Sequence, residues 1–252
     1  QVMPNAAKLS SESNIGKCLH IITPVKDSIE LTLRTVRSVL DSKIGIPFTY
    51  TVYNDFSTPE NTALLEKAAA ELGFALVNLS DVTDTPSPNY RLTLRMTLRK
   101  ALEAEASLAI VESDVVIGEK IMQKLLEGAS ARPDCALAAA ITIDEAGEVN
   151  YPYESKRECT GVVEADGHLS FCCTLLTHAF LKEADFDELN AEKQWFDVPI
   201  SHMALRENFR NYLFCDLRVL HRPHGSRPWK MLKYSNRLKY YLYKFLKGRD
   251  KI

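Results

Sequence analysis

Two carboxylates one residue apart, Glu112 and Asp114, close an apolar run in the stretch SLAIVESDVVIG at 107–118. The run 107–111 has the length and β-branched content of a buried strand. Side chains alternate along a strand, so both acids are expected to point the same way at its end. In an open α/β sheet that end is where ligands sit. A pair of acids there suits a divalent cation, Mn2+ or Mg2+, that neutralises a diphosphate. An ordinary acidic loop after a strand is the plain alternative, and so short a motif does not separate the two.

Other chemistry-bearing residues fall at similar places. Thr23-Pro24 and Asp27 end a first apolar run, Asp55 follows a second, and His221 and His224 follow the last. Asp55 can accept hydrogen bonds from a nucleobase or a ribose hydroxyl. It equally has the chemistry of a turn-closing aspartate. The two histidines are metal-ligand candidates or ordinary imidazoles of a surface turn. Arg91, Arg95 and Arg99 recur every four residues on one face of an expected helix. Arg91 or Arg95 can reach a phosphate from there, or simply face solvent.

These residues need elements to hold them. Apolar runs predict strands over 17–25, 47–53, 74–79, 107–111, 135–143, 168–176 and 212–220. Helical spacing predicts helices over 29–42, 58–72, 90–106, 119–129, 177–184 and 198–208. Asp27 or Ser28, and Ser57 or Thr58, are N-cap candidates; Pro59 suits a first turn and Gly73 a helix end. Strict alternation through the first half implies a parallel sheet with helical crossovers, and the second half is more mixed. The segment 147–167 is irregular and polar, as expected of an insertion or lid. Residues 1–16 are expected to be a loose leader.

Composition narrows the function classes. The 252-residue chain is 46% apolar and 25% charged, which allows a substantial core. A net charge of −2 gives no ground for nucleic-acid binding. The charge is uneven: 229–252 holds eight Lys and Arg against Asp250 alone, a net +7, leaving −9 elsewhere. That tail intersperses Leu238, Tyr241 and Phe245 among its lysines. It reads as a helix lying on an anionic membrane or as a solubilising helix packed on the domain. No apolar run approaches a membrane span. The six cysteines include no Cys-x-x-Cys pair, so reduced thiols are expected and neither a zinc site nor a disulfide framework is. No Gly-rich phosphate loop follows the first strand, which disfavours a Rossmann oxidoreductase or methyltransferase. Any phosphate must be held by something else.

Taken in order, IITPVKDSIELTLRTVRSVL, YNDFSTPENT, IVESDVVI, FDE with FDVPIS, and VLHRPHGS make the chain resemble the family 2 glycosyltransferases of the GT-A fold, over 17–228. The resemblance implies an α/β domain with a mostly parallel central sheet flanked by helices. Its nucleotide-sugar half would be 17–118 and its acceptor half 119–228, before the basic helix 229–252. It places Pro24 and Asp55 at the nucleotide, and Thr23, Ser113 and Arg95 are expected to join them there. Asp114 falls on the safer position of the family's metal motif, with Glu112 beside it and His221 or His224 as further contacts. Asp197 falls on the general base. The implied reaction is an inverting transfer from a nucleoside-diphosphate sugar to a saccharide or lipid-linked hydroxyl, for surface polysaccharide or glycolipid synthesis. The implied location is cytoplasmic, at the inner membrane face if the tail binds lipid. The chain departs from the pattern at Glu112, at Phe196 and Pro199 where the family has acids flanking Asp197, and in its arginine-rich helix. These departures keep open a relative that binds a nucleotide sugar or glycan without turnover.

Overall fold

The structure, a computed structural model, describes residues 13–165 and 167–223 together with Leu238 and Tyr241. Four parallel strands make the first half of the sheet. They are β1 (Cys18–Val25), β2 (Phe48–Asn54), β3 (Ala75–Asn78) and β4 (Ala106–Val111), in the order β3-β2-β1-β4. Helices α1 (Ile29–Leu40), α2 (Pro59–Leu72) and α3 (Tyr90–Glu103) connect them.

The second half is mixed, as expected. It contributes β5 (Val115–Val116), β6 (Cys135–Ile143), β7 (Val162–Glu164), β8 (Cys173–Leu176) and β9 (Arg210–His221). Its helices are α4 (Ile121–Ser130), α5 (His178–Glu183) and α6 (Asp197–Arg206). The sheet runs on from β4 through β8, β6 and β9 to β5, with β7 also on β9. β8 is antiparallel to both neighbours, and β9 is parallel to β6 but antiparallel to β5 and β7. The very short β5 and β7 have too few residues to show a period in the sequence. Residues 168–172, expected as strand, precede β8 as irregular chain.

The sheet is covered on both faces. β4 is buried throughout, and its alternation feeds two cores. Ala109 and Val111 pack with Val36 and Val39 of α1, Leu65 of α2 and Leu125 of α4. Leu108 and Ile110 pack with Leu94 of α3, Phe180 of α5 and Ile200 of α6. Each such large side chain contributes about 1.5–3 kcal/mol by leaving water.

Local signals account for several boundaries. Thr58 caps α2 by accepting from the Asn61 N–H at 3.3 Å, Pro59 opens the helix, and Gly73 ends it at φ +80°. The expected cap of α1 is different. Ser28 sits at the N-cap position at φ +55° with no side-chain cap bond, and Asp27 precedes it at φ +55°. The Asp27 carboxylate instead accepts from the Thr58 N–H (2.9 Å) and the Asn61 amide (3.0 Å), tying the β1 and β2 ends together. The expected loose leader also packs before Lys17. The buried Asn14 donates to the carbonyls of Ala129, in the last turn of α4, and Arg132 just beyond it.

Gly128 of α4 is pressed against the Phe214 ring, and a Cβ there would collide with it. Gly to Ala inside a helix ordinarily stabilises by about 0.5–1 kcal/mol. Gly128→Ala is expected to do the opposite and cost about 1–3 kcal/mol through overpacking. A lower urea midpoint at unchanged slope is the expected readout.

One expectation about cysteine is corrected. Cys159 and Cys215 form a disulfide, their Cα atoms 5.6 Å apart. Their separation of 56 residues gave no local spacing to read. The chain divides into a compact unit, Gln1–His221, and a second unit, Arg222–Ile252. Among the described residues no helix is long and apolar enough to cross a membrane. The tail expected to touch a membrane, 229–252, lies outside the described residues apart from Leu238 and Tyr241, as does His224.

Candidate functional site

β4 ends in a turn made by Glu112, Ser113 and Asp114. The Glu112 N–H donates to the Cys172 carbonyl (3.0 Å), and the Val115 N–H returns to the Glu112 carbonyl (3.1 Å). β5 then pairs Val115 with His221 at the end of β9. This register carries the last residue of the sheet's final strand to the acidic turn. Asp114 Oδ2 lies 3.5 Å from His221 Nε2, and both residues are buried.

The imidazole is oriented from behind. His221 Nδ1 is 2.6 Å from the Tyr151 carbonyl oxygen. A carbonyl only accepts, so Nδ1 carries a proton and Nε2 faces the acids. The Asn150 amide donates to the His221 carbonyl at 2.9 Å, fixing the same residue a second time. A residue of the preceding irregular chain completes the group. Cys172 Sγ lies 3.4 Å from Glu112 Oε2 and 4.0 Å from His221 Nε2. The ligand atoms of Glu112, Cys172 and His221 all fall within 4.8 Å of one another.

The electrostatics follow from crowding acids in a dry place. Burial pushes the Glu112 carboxyl up to about 7, and the charges of Asp114 and Asp197 push the same way against His221. Burial, then the Glu112 charge, raises the Cys172 thiol well above its ordinary value. For His221 burial acts downward, but the Asp114 hydrogen bond and charge, with Glu112, outweigh it and raise the imidazole. The site favours positive charge.

Asp197 stands in the first turn of α6, its Oδ1 accepting from the Val198 N–H at 2.9 Å. Its charge acts on Glu112, on Tyr90 and on Tyr153, so it belongs to the same region. Tyr90 stands at the start of α3, held edge-on by Phe171 and Phe196 with centroids at 6.5 and 6.1 Å. Its hydroxyl is buried and has no hydrogen-bond partner among the described residues. A buried hydroxyl left unmatched beside acids has donor capacity for a ligand. The turn thus gathers Glu112, Ser113, Asp114, His221 and Asp197.

Other expected residues are engaged elsewhere. The Thr23 hydroxyl is buried and pairs with Tyr50 Oη at 2.9 Å. Pro24 lies half-buried in β1 opposite Tyr53 of β2. Asp55 clamps the loop before α3. It accepts from Ser87 Oγ (2.8 Å), the Asn89 N–H (2.8 Å) and the Asn89 amide (2.9 Å). Asp55→Ala is therefore expected to cost about 2 kcal/mol, with faster hydrogen exchange first at the Asn89 N–H. Arg91 donates to the Asp187 carbonyl at 2.7 Å, and Arg95 forms an ion pair with the Asp187 carboxylate. Both arginines hold the 3-10 turn Phe186–Glu188, and that turn reaches α6 through Glu188–Arg206 at 2.7 Å.

Sequence reasoning missed Cys172, Tyr90 and the Tyr151 carbonyl. The adjacent Cys172-Cys173 pair was visible, and alternation puts one of two neighbours on each side of a strand. Only the pairing of β8 with β4 reveals which acid Cys172 meets.

No family model and no curated protein sequence matches the chain. Solved structures do match in fold. The mannosyltransferase PcManGT from Pyrobaculum calidifontis, in complex with GDP-Man and Mn2+, matches with a TM-score of 0.60 at 12% identity, over 97% of this chain and 69% of that one. GalNAc-T7 with UDP, GalNAc and Mn2+ matches with a TM-score of 0.59 at 14% identity, over 83% and 44%. TarS 1-349 from S. aureus matches with a TM-score of 0.54 at 16% identity, over 88% and 64%. The chain thus spans less than two thirds of the length of the last two. At these identities the likeness establishes a shared GT-A-type α/β architecture, not an activity.

Proposed function

We propose that the chain is a cation-dependent glycosyltransferase that moves a sugar from a nucleoside-diphosphate sugar to a hydroxyl acceptor with inversion. The observation that carries this reading is the meeting of Glu112, Asp114, His221 and Asp197 at the carboxyl end of β4. The comparison structures, titled with GDP-Man or UDP and with Mn2+, support it.

The residues fit a divalent cation. Two ligands on adjacent vertices of an ion at about 2.1 Å lie about 3 Å apart. Asp114 and His221 are near that separation at 3.5 Å, with His221 presenting Nε2. A second carboxylate, Glu112, stands beside them. Mn2+ or Mg2+ in this place supplies charge neutralisation for a departing diphosphate.

The chain's own groups do the rest. Asp114 and Glu112 hold a negative field that rejects a bare diphosphate and accepts one already paired with a cation. Asp197 takes the proton of the acceptor hydroxyl as it attacks. The Tyr90 hydroxyl donates a hydrogen bond to an oxygen of the bound substrate. Asp55, with part of its carboxylate left over from the Asn89 clamp, meets the base or ribose. The acceptor is a saccharide or lipid-linked glycan in polysaccharide or glycolipid synthesis, and the basic 229–252 segment would hold the enzyme near anionic lipid.

The test is a panel of UDP, GDP and dTDP sugars with and without Mn2+ or Mg2+, scored for release of free nucleoside diphosphate. Cation-dependent release with one donor supports the reading. Binding without release with every donor and acceptor overturns it in favour of a non-catalytic binder.

A further inference from the structure

Cys172 is not used by the reaction outlined above, yet its sulfur reaches both Glu112 and His221. A tetrahedral ion bound through sulfur at about 2.3 Å and through nitrogen or oxygen at about 2.0–2.1 Å holds its sulfur about 3.5 Å from the other two donors. Cys172 Sγ is 3.4 Å from Glu112 Oε2 and 4.0 Å from His221 Nε2. The three donors come from three parts of the fold: the end of β4, the chain before β8, and the end of β9. None of them is brought there by sequence neighbourhood. His221 is moreover pre-set in the manner of a metal-bound imidazole, its Nδ1 proton held by the Tyr151 carbonyl so that Nε2 points at the other donors. The buried Tyr90 hydroxyl, unmatched among the described residues, adds a polar group that a ligand in this space would satisfy.

We infer that Cys172 is a direct ligand of the cation, with Glu112 and His221, and that this site takes a thiophilic divalent ion of the zinc and cobalt class. The inference rests on the proposed function only for the presence of a cation. Carboxylate and imidazole alone suit Mn2+ or Mg2+, whereas a thiolate selects softer ions. Asp114, 3.5 Å from His221 Nε2, stands beside these three as a further oxygen donor, so the set joins one sulfur to nitrogen and oxygen ligands. On binding, the Cys172 S–H bond gives way to a sulfur–metal bond, and the proton leaves to the buffer.

The experiment is a Co2+ titration of the full chain, followed by absorption spectroscopy and calorimetry without nucleotide. The expected result is a near-ultraviolet sulfur-to-cobalt charge-transfer band that saturates at one ion per chain. Cys172→Ser is expected to lose that band and bind Co2+ more weakly by at least the roughly 10–100-fold that loss of a mere outer partner causes, with little change for Mg2+, which does not favour sulfur. A variant that keeps Cys172 but carries Cys18→Ser, Cys135→Ala and Cys173→Ala is expected to retain the band, which covers the case of a misfolded Cys172→Ser. Co2+ binding without the band, or a band that survives Cys172→Ser, overturns the inference. None of these readouts requires sugar transfer. A band with no nucleotide-sugar turnover would therefore count against the transferase reading and leave the cysteine ligation standing.

Discussion

Asp197→Asn is expected to slow sugar transfer by about 10²–10⁴-fold, the contribution of a positioned general base. The exchange keeps the shape of the side chain. Its Oδ1 can still accept from the Val198 N–H, so the first turn of α6 is preserved. What is lost is the capacity to take a proton. The fall should appear in kcat, measured as nucleoside-diphosphate release at saturating donor and acceptor. Affinity for the nucleoside diphosphate should be untouched, because the assigned role lies on the acceptor side. A variant with the parental rate would remove Asp197 from the reaction and leave the acceptor hydroxyl to another base.

The second large effect concerns Asp114. At a cation concentration one hundred times Kd, a protein that binds only when folded gains about 2.7 kcal/mol. For a domain of this size that is a rise in Tm of about 5–10 °C. Asp114→Asn removes the charge of the proposed ligand that faces His221 Nε2. If affinity falls 100-fold, the same cation concentration contributes only about 0.4 kcal/mol, and the rise shrinks to about 1–2 °C. The cation-free melting curve of the variant serves as its own control for folding. A full cation-induced shift in Asp114→Asn would mean that the ion sits elsewhere.

The parallel half of the sheet was legible because its strands are rich in apolar and β-branched residues and each crossover carries helical spacing. The acidic turn was legible for the same reason: it closes the apolar run 107–111. Pairing across the second half was not. β8 lies between β4 and β6, far from both in sequence, and that insertion is what sets Cys172 against Glu112. Asp55 shows a different limit. Its type and position allow a ligand contact or a turn, and the partners that hold its carboxylate, Ser87 and Asn89, lie 32 and 34 residues away. Arg91 and Arg95 were seen as a basic face, but their use depends on Asp187, whose approach no periodicity records.

The polar stretch after β6 looked in the sequence like a movable cover, and its anchoring says otherwise. Asn150 and Tyr151 both grip His221, Cys159 is covalently joined to Cys215, and the Gly161 N–H donates to the Asp216 carboxylate at 3.0 Å. Peeling this flap back at Tyr151 strips the imidazole of the contact that aims it. On the proposed reading, opening and loss of the ion would be one event, and substrates would enter and leave by another part of the rim.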